Sequence, residues 1–282
     1  MIIKDKKELI MENTKKFNRI LLTGAAGGLG SIFRERLKKY TDKLRISDIN
    51  EITNLKSLDQ EQEEIIYCDL AQKEAVYELV KGVDAIIHFG GVSTEHSFEE
   101  ILGPNICGTY HIYEAARKHR VSRIIFASSN HVVGFHSRNE MLDTNCIRKP
   151  DGYYGLSKSY GEDLATFYWH RYGIETLSIR IGSSYPEPKN KRMLSTWLHY
   201  DDLEQLIIKG LTLPNLEHTV IFGASNNPKK WWSNKCSSHL NYQPEYSADK
   251  YEMKLRASSS FDFDPGALYQ GGSFTEAGPF EG

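Results

Sequence analysis

The sequence predicts an α/β protein built on a doubly wound parallel sheet, with a small C-terminal portion. Two observations support this fold class. Short apolar segments of strand length alternate with segments of helical periodicity over most of the chain, and the first predicted strand leads into a glycine-rich turn that opens a helix. Strands separated by helices pair in parallel through right-handed crossovers, and such a sheet binds ligands at the carboxyl ends of its strands.

The predicted elements follow one another in regular order. Strands are expected at 19–23, 44–47, 64–67, 85–89 and 123–127. Helices are expected after the glycine turn, at 73–81, at 98–118, around residue 154 and at 196–211, and a last strand is expected at 218–222. Residues 1–18 are predicted to be a polar extension, so that 19–282 form a single domain, as the length of 282 residues allows.

The bulk properties exclude several classes of partner. Lys and Arg total 35 against 37 Asp and Glu, a formal charge of -2, so no overall field favours nucleic acid. Apolar runs are too short to span a bilayer, and residues 1–19 lack the apolar core of a signal peptide. The four cysteines form no Cys-x-x-Cys pair, which predicts reduced thiols, a cytoplasmic location and no metal site.

The glycine-rich turn is the first functional signal. Gly24, Gly27, Gly28, Leu29 and Gly30 lie between the first strand and its helix. Glycines at 24, 27 and 30 allow a tight turn, a close approach of backbone to a pyrophosphate, and close packing of helix on strand. This arrangement predicts a dinucleotide-binding Rossmann fold.

An acidic residue follows the second strand at the expected distance from the glycines. A carboxylate at Asp48 can accept hydrogen bonds from both hydroxyls of the adenosine ribose and would repel a 2′-phosphate. No Lys or Arg follows at 49 or 50. The sequence therefore favours NAD over NADP, with a simple strand-end turn as the alternative role of Asp48.

Two further strand ends are predicted to contact the same cofactor. Asp69 and Leu70 follow the third strand, where Asp69 would meet the adenine amine or, alternatively, cap the next helix. The fourth strand ends in Phe89, Gly90 and Gly91, and small residues at this position allow a close cofactor approach.

A tyrosine and a lysine four residues apart carry the predicted chemistry. On a helix, Tyr154 and Lys158 share one face, and an ammonium beside the phenol favours its ionised form, whose unperturbed pKa is about 10. The same Tyr-x-x-x-Lys spacing occurs at three other places in the chain, so the spacing alone does not identify the functional pair. Its position relative to the predicted strands does. Tyr154 follows the strand that ends in Ser128 and Ser129, which places all three predicted catalytic residues, Ser129, Tyr154 and Lys158, at the carboxyl edge of the sheet.

This combination of motifs resembles the extended short-chain dehydrogenase/reductase family, and more closely the uronate dehydrogenases within it. The resemblance runs from about residue 18 to the end. It is carried by Phe89-Gly-Gly-Val-Ser93, Phe126-Ala-Ser-Ser-Asn-His131, Pro150-Asp-Gly-Tyr-Tyr-Gly-Leu-Ser-Lys158, Arg180-Ile-Gly-Ser183, Pro186-Glu-Pro188, Arg192-Met-Leu-Ser-Thr-Trp197 and Gly271-Gly-Ser-Phe274.

The resemblance implies NAD-dependent oxidation of an aldohexuronate, D-glucuronate or D-galacturonate, at C1 to the aldarolactone. Tyr154 would take the C1 hydroxyl proton, Ser129 would hydrogen-bond the same oxygen, and Lys158 would lower the tyrosine pKa and hold the nicotinamide ribose. Substrate-binding elements would lie mainly in 183–282. A homo-oligomer is also implied.

The resemblance further implies a set of substrate-binding residues: Ser93, Ser129, Asn130, His131, Ser183 and Arg192. Arg192 would bind the substrate carboxylate through two parallel hydrogen bonds. Residues alone leave alternatives open, since Arg192 could belong to a charged loop, His131 could be a packing residue, and Ser129 could satisfy a backbone group. The sequence does not rank glucuronate against galacturonate.

Three other functions are weighed against this one. A nucleotide-sugar epimerase or a neutral-sugar dehydrogenase would use the same fold and cofactor, and a non-catalytic NAD-binding protein would keep the fold alone. The short C-terminal portion favours a free monosaccharide over a nucleotide sugar. The intact Ser129, Tyr154 and Lys158 set argues against a non-catalytic protein.

Overall fold

The computed structural model describes residues 17–53, 59, 61–257, 266–278 and 280. Its centre is a seven-stranded parallel sheet in the order β10-β7-β5-β4-β1-β2-β3, which confirms the doubly wound α/β prediction. The strands are β1 Phe17–Thr23, β2 Thr41–Ser47, β3 Glu63–Ile65, β4 Ala85–His88, β5 Arg123–Ser129, β6 Leu142–Asp143, β7 Glu175–Ile181, β8 Ser183–Ser184, β9 Trp197–Leu198, β10 His218–Gly223 and β11 Trp232–Ser233. The short strands pair separately, β6 with β11 and β8 with β9.

Helices cover both faces of this sheet. They are α1 Gly28–Leu37, α2 Lys73–Val80, α3 Phe98–Ile101, α4 Gly108–His119, α5 Tyr153–Tyr172, α6 Met193–Thr196, α7 Tyr200–Thr212 and α8 Glu252–Ala257. No helix in the described part of the chain combines the length and the apolar character needed to cross a membrane.

Some boundaries differ from the sequence prediction. Strand β1 begins at Phe17, two residues before its predicted start, and most of the predicted N-terminal extension lies outside the described residues. The predicted 98–118 helix is divided by a π-helical segment, Leu102–Cys107, which contains Pro104. Proline has no backbone N–H, so it interrupts the regular bonding of the helix. The predicted 196–211 helix begins later, at Tyr200, because Trp197–Leu198 pairs with Ser183–Ser184 as a strand.

Two apolar layers enclose the sheet because its strands alternate their side chains between faces. In β1, Ile20 and Leu22 join one core with α1 and α7, whereas Leu21 joins the other core with α2, α4 and α5. All three side chains are fully buried. A sheet buried on both faces exposes functional groups mainly at its strand ends, and these ends hold the candidate site.

A buried ion pair joins helix α5 to the two strands beneath it. Arg180 on β7 donates to Glu162 on α5 through Nε (2.9 Å) and Nη2 (2.8 Å). Ser128 on β5 donates its hydroxyl to the same carboxylate at 2.6 Å. The side chains of Arg180 and Glu162 are 2% and 1% exposed. Helix α5 therefore keeps a fixed position over the ends of β5 and β7.

We expect Glu162→Gln to lower the free energy of unfolding by about 3 kcal/mol or more, because it leaves the Arg180 guanidinium buried without an opposing charge. Urea unfolding followed by circular dichroism measures this. Asp163→Asn, which breaks the exposed Arg148–Asp163 pair on the same helix, is the control and should cost less than about 1 kcal/mol. If both variants lower the free energy of unfolding by the same small amount, the Glu162–Arg180 pair does not stabilise the fold.

Candidate active site

One cavity of about 1200 Å³ lies at the carboxyl ends of the central strands. It opens where β1 and β4 lie side by side and the strand order reverses, which is the usual ligand position in such sheets. All the predicted site residues line this cavity: Gly24, Gly27, Gly28, Leu29, Gly30, Asp48, Asp69, Leu70, Phe89, Gly90, Gly91, Ser93, Ser129, Asn130, His131, Tyr154, Lys158, Ser183 and Arg192. Their location is thereby established, while their individual roles stay predictions.

The glycine-rich turn leaves no space for side chains at two positions. Gly24 has a φ of +72°, and a Cβ added there would lie 2.6 Å from the carbonyl carbon of Phe89. A Cβ at Gly30 would lie 1.9 Å from Gly24 O. Helix α1 begins beside the cavity with Gly27 as its N-cap and no side-chain cap, so its first N–H groups suit a phosphate. These features fit the pyrophosphate of a dinucleotide.

The two predicted cofactor carboxylates also support the local backbone. Asp48 accepts hydrogen bonds from Ala26 N and Asn50 N, both at 2.9 Å, so it ties the end of β2 to the glycine turn. Asp69 accepts from Ala71 N at 2.9 Å, which stabilises the turn after β3. It does not cap the following helix, whose N-cap is Gln72 and has no side-chain cap. A contact of Asp69 with adenine stays a prediction.

The three predicted catalytic residues converge at one point of the cavity. Ser129 ends β5, and Tyr154 and Lys158 lie in the first two turns of α5. All three side chains are buried. Lys158 Nζ lies 5.6 Å from the centroid of the Tyr154 ring, and the Ser129 hydroxyl is close enough to lower the pKa of the Tyr154 phenol. Ser129 also accepts from His131 N at 3.2 Å, so the backbone role considered for it is present as well.

Burial shifts the acid–base properties of the tyrosine and the lysine in opposite directions. Removal from water raises the pKa of Tyr154 to about 12, an effect that the hydrogen bond with Ser129 reduces and the charge of Asp151 increases. Removal from water lowers the pKa of Lys158 to about 8. At neutral pH the phenol of Tyr154 is therefore neutral, and the neighbouring Lys158 ammonium loses its proton near pH 8.

Helix α5 begins on a carboxylate from another loop. Glu95 accepts hydrogen bonds from Tyr153 N (2.7 Å) and Tyr154 N (2.9 Å), the first two N–H groups of the helix. Such a carboxylate satisfies unpaired donors and complements the positive helix end. Glu95 belongs to the loop that contains Ser93, so the cap fixes the catalytic helix relative to a predicted substrate residue.

The part of the cavity next to Ser129 and Tyr154 combines amide, imidazole, hydroxyl and guanidinium groups. Arg192 lies beside Ser183, with Nη1 at 3.4 Å from the serine Oγ. In the amide orientation that satisfies both of its ends, Asn130 donates to Ile181 O at 3.2 Å and accepts from Arg192 Nη2 at 2.9 Å. Arg192 is therefore part of the site wall and does not belong to an isolated charged loop.

His131 is held on two sides. Its Nδ1 lies 2.7 Å from Asp151 Oδ2, and its ring stacks on Phe274 with centroids 3.9 Å apart. A carboxylate accepts hydrogen bonds, so Nδ1 carries the hydrogen and Nε2 is the nitrogen left for other contacts. The packing alternative for His131 is thus partly correct, although the ring also lines the cavity.

Several residues in or next to the site were not assigned a role from the sequence: Glu95, Asp151, Glu162, Gln270 and Phe274. Asp151 and Phe274 stand in segments quoted for the family resemblance, which was a usable signal. Glu95 binds Tyr154 N across 59 residues of sequence, and Glu162 binds Arg180 across 18. No local sequence pattern indicates such contacts. Trp231 and Trp232 belong to a packed apolar cluster, in which the Trp232 ring stacks on Phe222 with centroids 5.0 Å apart.

The NAD dependent epimerase/dehydratase family matches residues 20–208, more than half of the chain. The chain therefore belongs to this family of NAD-dependent enzymes, and within it to the extended short-chain dehydrogenase/reductase type that the uronate dehydrogenases represent. It is an NAD-dependent oxidoreductase.

The relatives include several uronate dehydrogenases. The enzyme of Pseudomonas putida is 59% identical over 268 residues, which cover 95% of this chain and 99% of that protein. The structure of glucuronic acid dehydrogenase from Chromohalobacter salexigens is 46% identical, with a TM-score of 0.88 and coverage of 93% and 97%. A tyrosine-to-alanine mutant of uronate dehydrogenase from Agrobacterium tumefaciens, complexed with NAD, is 41% identical, with a TM-score of 0.90 and coverage of 94% and 100%.

We expect Asp48→Ala to weaken NAD binding about tenfold and to reduce the preference for NAD over NADP, because the carboxylate no longer binds the ribose hydroxyls or repels a 2′-phosphate. Fluorescence titration with NADH and NADPH gives both dissociation constants. Asp69→Asn, at the neighbouring strand end, should leave the ratio of the two constants unchanged. A constant ratio in Asp48→Ala would remove Asp48 from cofactor selection.

Proposed function

We propose that this protein oxidises a free aldohexuronate at C1 and releases the aldarolactone, with NAD as hydride acceptor. The observation that carries the proposal is that Ser129, Tyr154, Lys158 and Arg192 line one cavity, with Arg192 hydrogen-bonded to Asn130, the residue after Ser129. The first three residues suit removal of a proton from an alcohol. The guanidinium suits a substrate that carries a carboxylate.

Each residue of the set has one role in the proposed reaction. Tyr154 takes the C1 hydroxyl proton of the cyclic uronate, and C1–O becomes the lactone carbonyl. NAD, held by the glycine-rich turn and Asp48, would supply the acceptor for the hydride that leaves C1. Ser129 holds the reacting oxygen, and its hydrogen bond to Tyr154 favours the ionised phenol. Lys158 holds a positive charge beside the phenol while it remains protonated.

The polar groups around Arg192 would select the substrate. Arg192, Asn130 and Ser183 form a polar group beside which a carboxylate would gain charge-assisted hydrogen bonds. A neutral sugar would not compensate for removing this guanidinium from water. His131, Ser93 and Ser129 would bind the ring hydroxyls. The uronate dehydrogenase of Pseudomonas putida matches 95% of this chain at 59% identity, which supports the same substrate class.

Formation of NADH tests the proposal directly. Purified protein with NAD should form NADH with D-glucuronate or D-galacturonate, and much more slowly with D-glucose, D-galactose or UDP-glucose. NADH from the neutral sugars alone would favour a neutral-sugar dehydrogenase. Conversion of UDP-glucose without net NADH would favour a nucleotide-sugar epimerase, and NAD binding without turnover of any sugar would indicate a non-catalytic protein. Self-association and a cytoplasmic location stay predictions of the sequence.

We expect Tyr154→Phe to lower kcat about a thousandfold, because the base that accepts the C1 hydroxyl proton is gone. The dissociation constant for NAD should stay unchanged. Tyr153→Phe, which removes an exposed hydroxyl one residue away, is the matched control. A Tyr154→Phe enzyme with near-normal kcat would exclude Tyr154 as the base.

We expect a distinctive dependence of kcat/KM on pH. If turnover needs an ionised Tyr154 (pKa about 12) and a protonated Lys158 (pKa about 8), kcat/KM rises with pH and levels off near pH 8. Above that pH, the gain in phenolate and the loss of ammonium cancel. Lys158→Arg keeps its charge at alkaline pH, so its kcat/KM should continue to rise beyond pH 8. If kcat/KM of Lys158→Arg still levels off near pH 8, deprotonation of Lys158 is not the cause of the plateau.

A further inference from the structure

The structure places the C-terminal segment 266–278 across the acid-binding wall of the cavity. Arg192 donates to the backbone carbonyl of Gln270 through Nε (3.0 Å) and Nη2 (2.7 Å). Ser273 and Phe274 of the same segment line the cavity. The orientation of the guanidinium is thus coupled to the position of one carbonyl group in this segment.

The side chain of Gln270 fixes that carbonyl. It is fully buried, and its amide uses both ends. Nε2 donates to Ser137 O (3.0 Å) and Glu140 O (2.9 Å), and Oε1 accepts from Trp232 Nε1 at 2.8 Å. A buried amide with every group paired is rigid, and loss of its partners leaves several buried polar groups unsatisfied.

The backbone around Gln270 continues the same attachment. Gln270 N donates to His136 O and Gly271 N donates to Gly134 O, both at 2.9 Å. The Gln270 side chain then adds bonds to the loop 137–140 and to Trp232 on β11. Arg138 adds bonds from its backbone N to Leu268 O (3.0 Å) and from its Nε to Tyr269 O (2.9 Å), so residues 268–271 are bound to this wall by backbone and side chains together.

We propose that Gln270 is a positioning residue for recognition of the substrate carboxylate, acting through its carbonyl on Arg192. The inference rests on the proposed function, because it needs Arg192 to bind the acid group. Gln270 itself lies behind the guanidinium, held by Trp232 and the 137–140 loop, so its effect is on substrate affinity and not on the proton transfer at Tyr154.

The test is a double-mutant cycle between Gln270→Leu and Arg192→Ala. Gln270→Leu should raise KM for the uronate about tenfold, with kcat and the NAD dissociation constant changed less than about twofold. Once Arg192 is alanine, Gln270→Leu should change KM less than about twofold, because the residues act as one unit. kcat/KM for D-galactose should not change with Gln270→Leu.

A matched control separates this effect from a general loss of stability. Gln205 also binds backbone through both ends of its amide, donating to Gln243 O and accepting from Gln243 N, away from the cavity. Gln205→Leu should leave KM for the uronate unchanged. If Gln270→Leu does not fold, Trp232→Phe removes the donor to Gln270 Oε1, together with part of the ring that stacks on Phe222, and should raise KM about threefold.

The outcomes distinguish the inference from the function on which it rests. If Arg192→Ala leaves KM for the uronate unchanged, the carboxylate lies elsewhere and the proposed function needs revision. If Arg192→Ala raises KM while Gln270→Leu and Trp232→Phe do not, Gln270 has no positioning role. Equal tenfold effects of Gln270→Leu with and without Arg192 would also overturn the inference.

Discussion

The buried contact of Glu162 with Arg180 and Ser128 is the interaction on which the geometry of the site depends. It joins helix α5, which carries Tyr154 and Lys158, to strands β5 and β7. Those strands end next to the residues that would hold the substrate. Because one carboxylate bonds both strands and lies one turn beyond Lys158, the distances between base, ammonium and serine are set by the core and not by surface loops.

The site has two ends with different physical origins. At the proposed catalytic end, burial opposes the ionised tyrosine and the charged lysine, and the charge of Asp151 also opposes ionisation of the tyrosine, so the useful protonation states depend on a few close contacts such as that with Ser129. At the end proposed to bind the acid group, Arg192 is held by Asn130 and by the carbonyl of Gln270, segments far apart in the chain. In this proposal, the reaction takes place at the strand ends, and substrate selection depends on contacts with the C-terminal segment.

The sequence predicted the parts of this site that are encoded locally. The glycine turn, Asp48 and the Tyr154–Lys158 pair each have a short pattern fixed by backbone geometry, and all lie in the cavity. Strand β7 was not predicted, because it alternates apolar with polar residues and buries the polar ones, Thr176, Ser178 and Arg180, as well. The charge of Arg180 is compatible with this burial because it pairs with Glu162. The roles of Glu95 and Gln270 were also not predicted. Each contacts a residue at least 58 positions away in the sequence, and such contacts leave no local sequence pattern.

Transfer of deuterium from C1 tests the central claim most directly. D-galacturonate and D-glucuronate deuterated at C1 would be incubated with the protein and NAD, and the NADH formed would be analysed by mass spectrometry. If the hydride that reduces NAD comes from C1, the NADH carries one deuterium and the initial rate falls relative to the unlabelled acid. Unlabelled NADH formed at an unchanged rate would contradict oxidation at C1 and assign the hydride to another carbon.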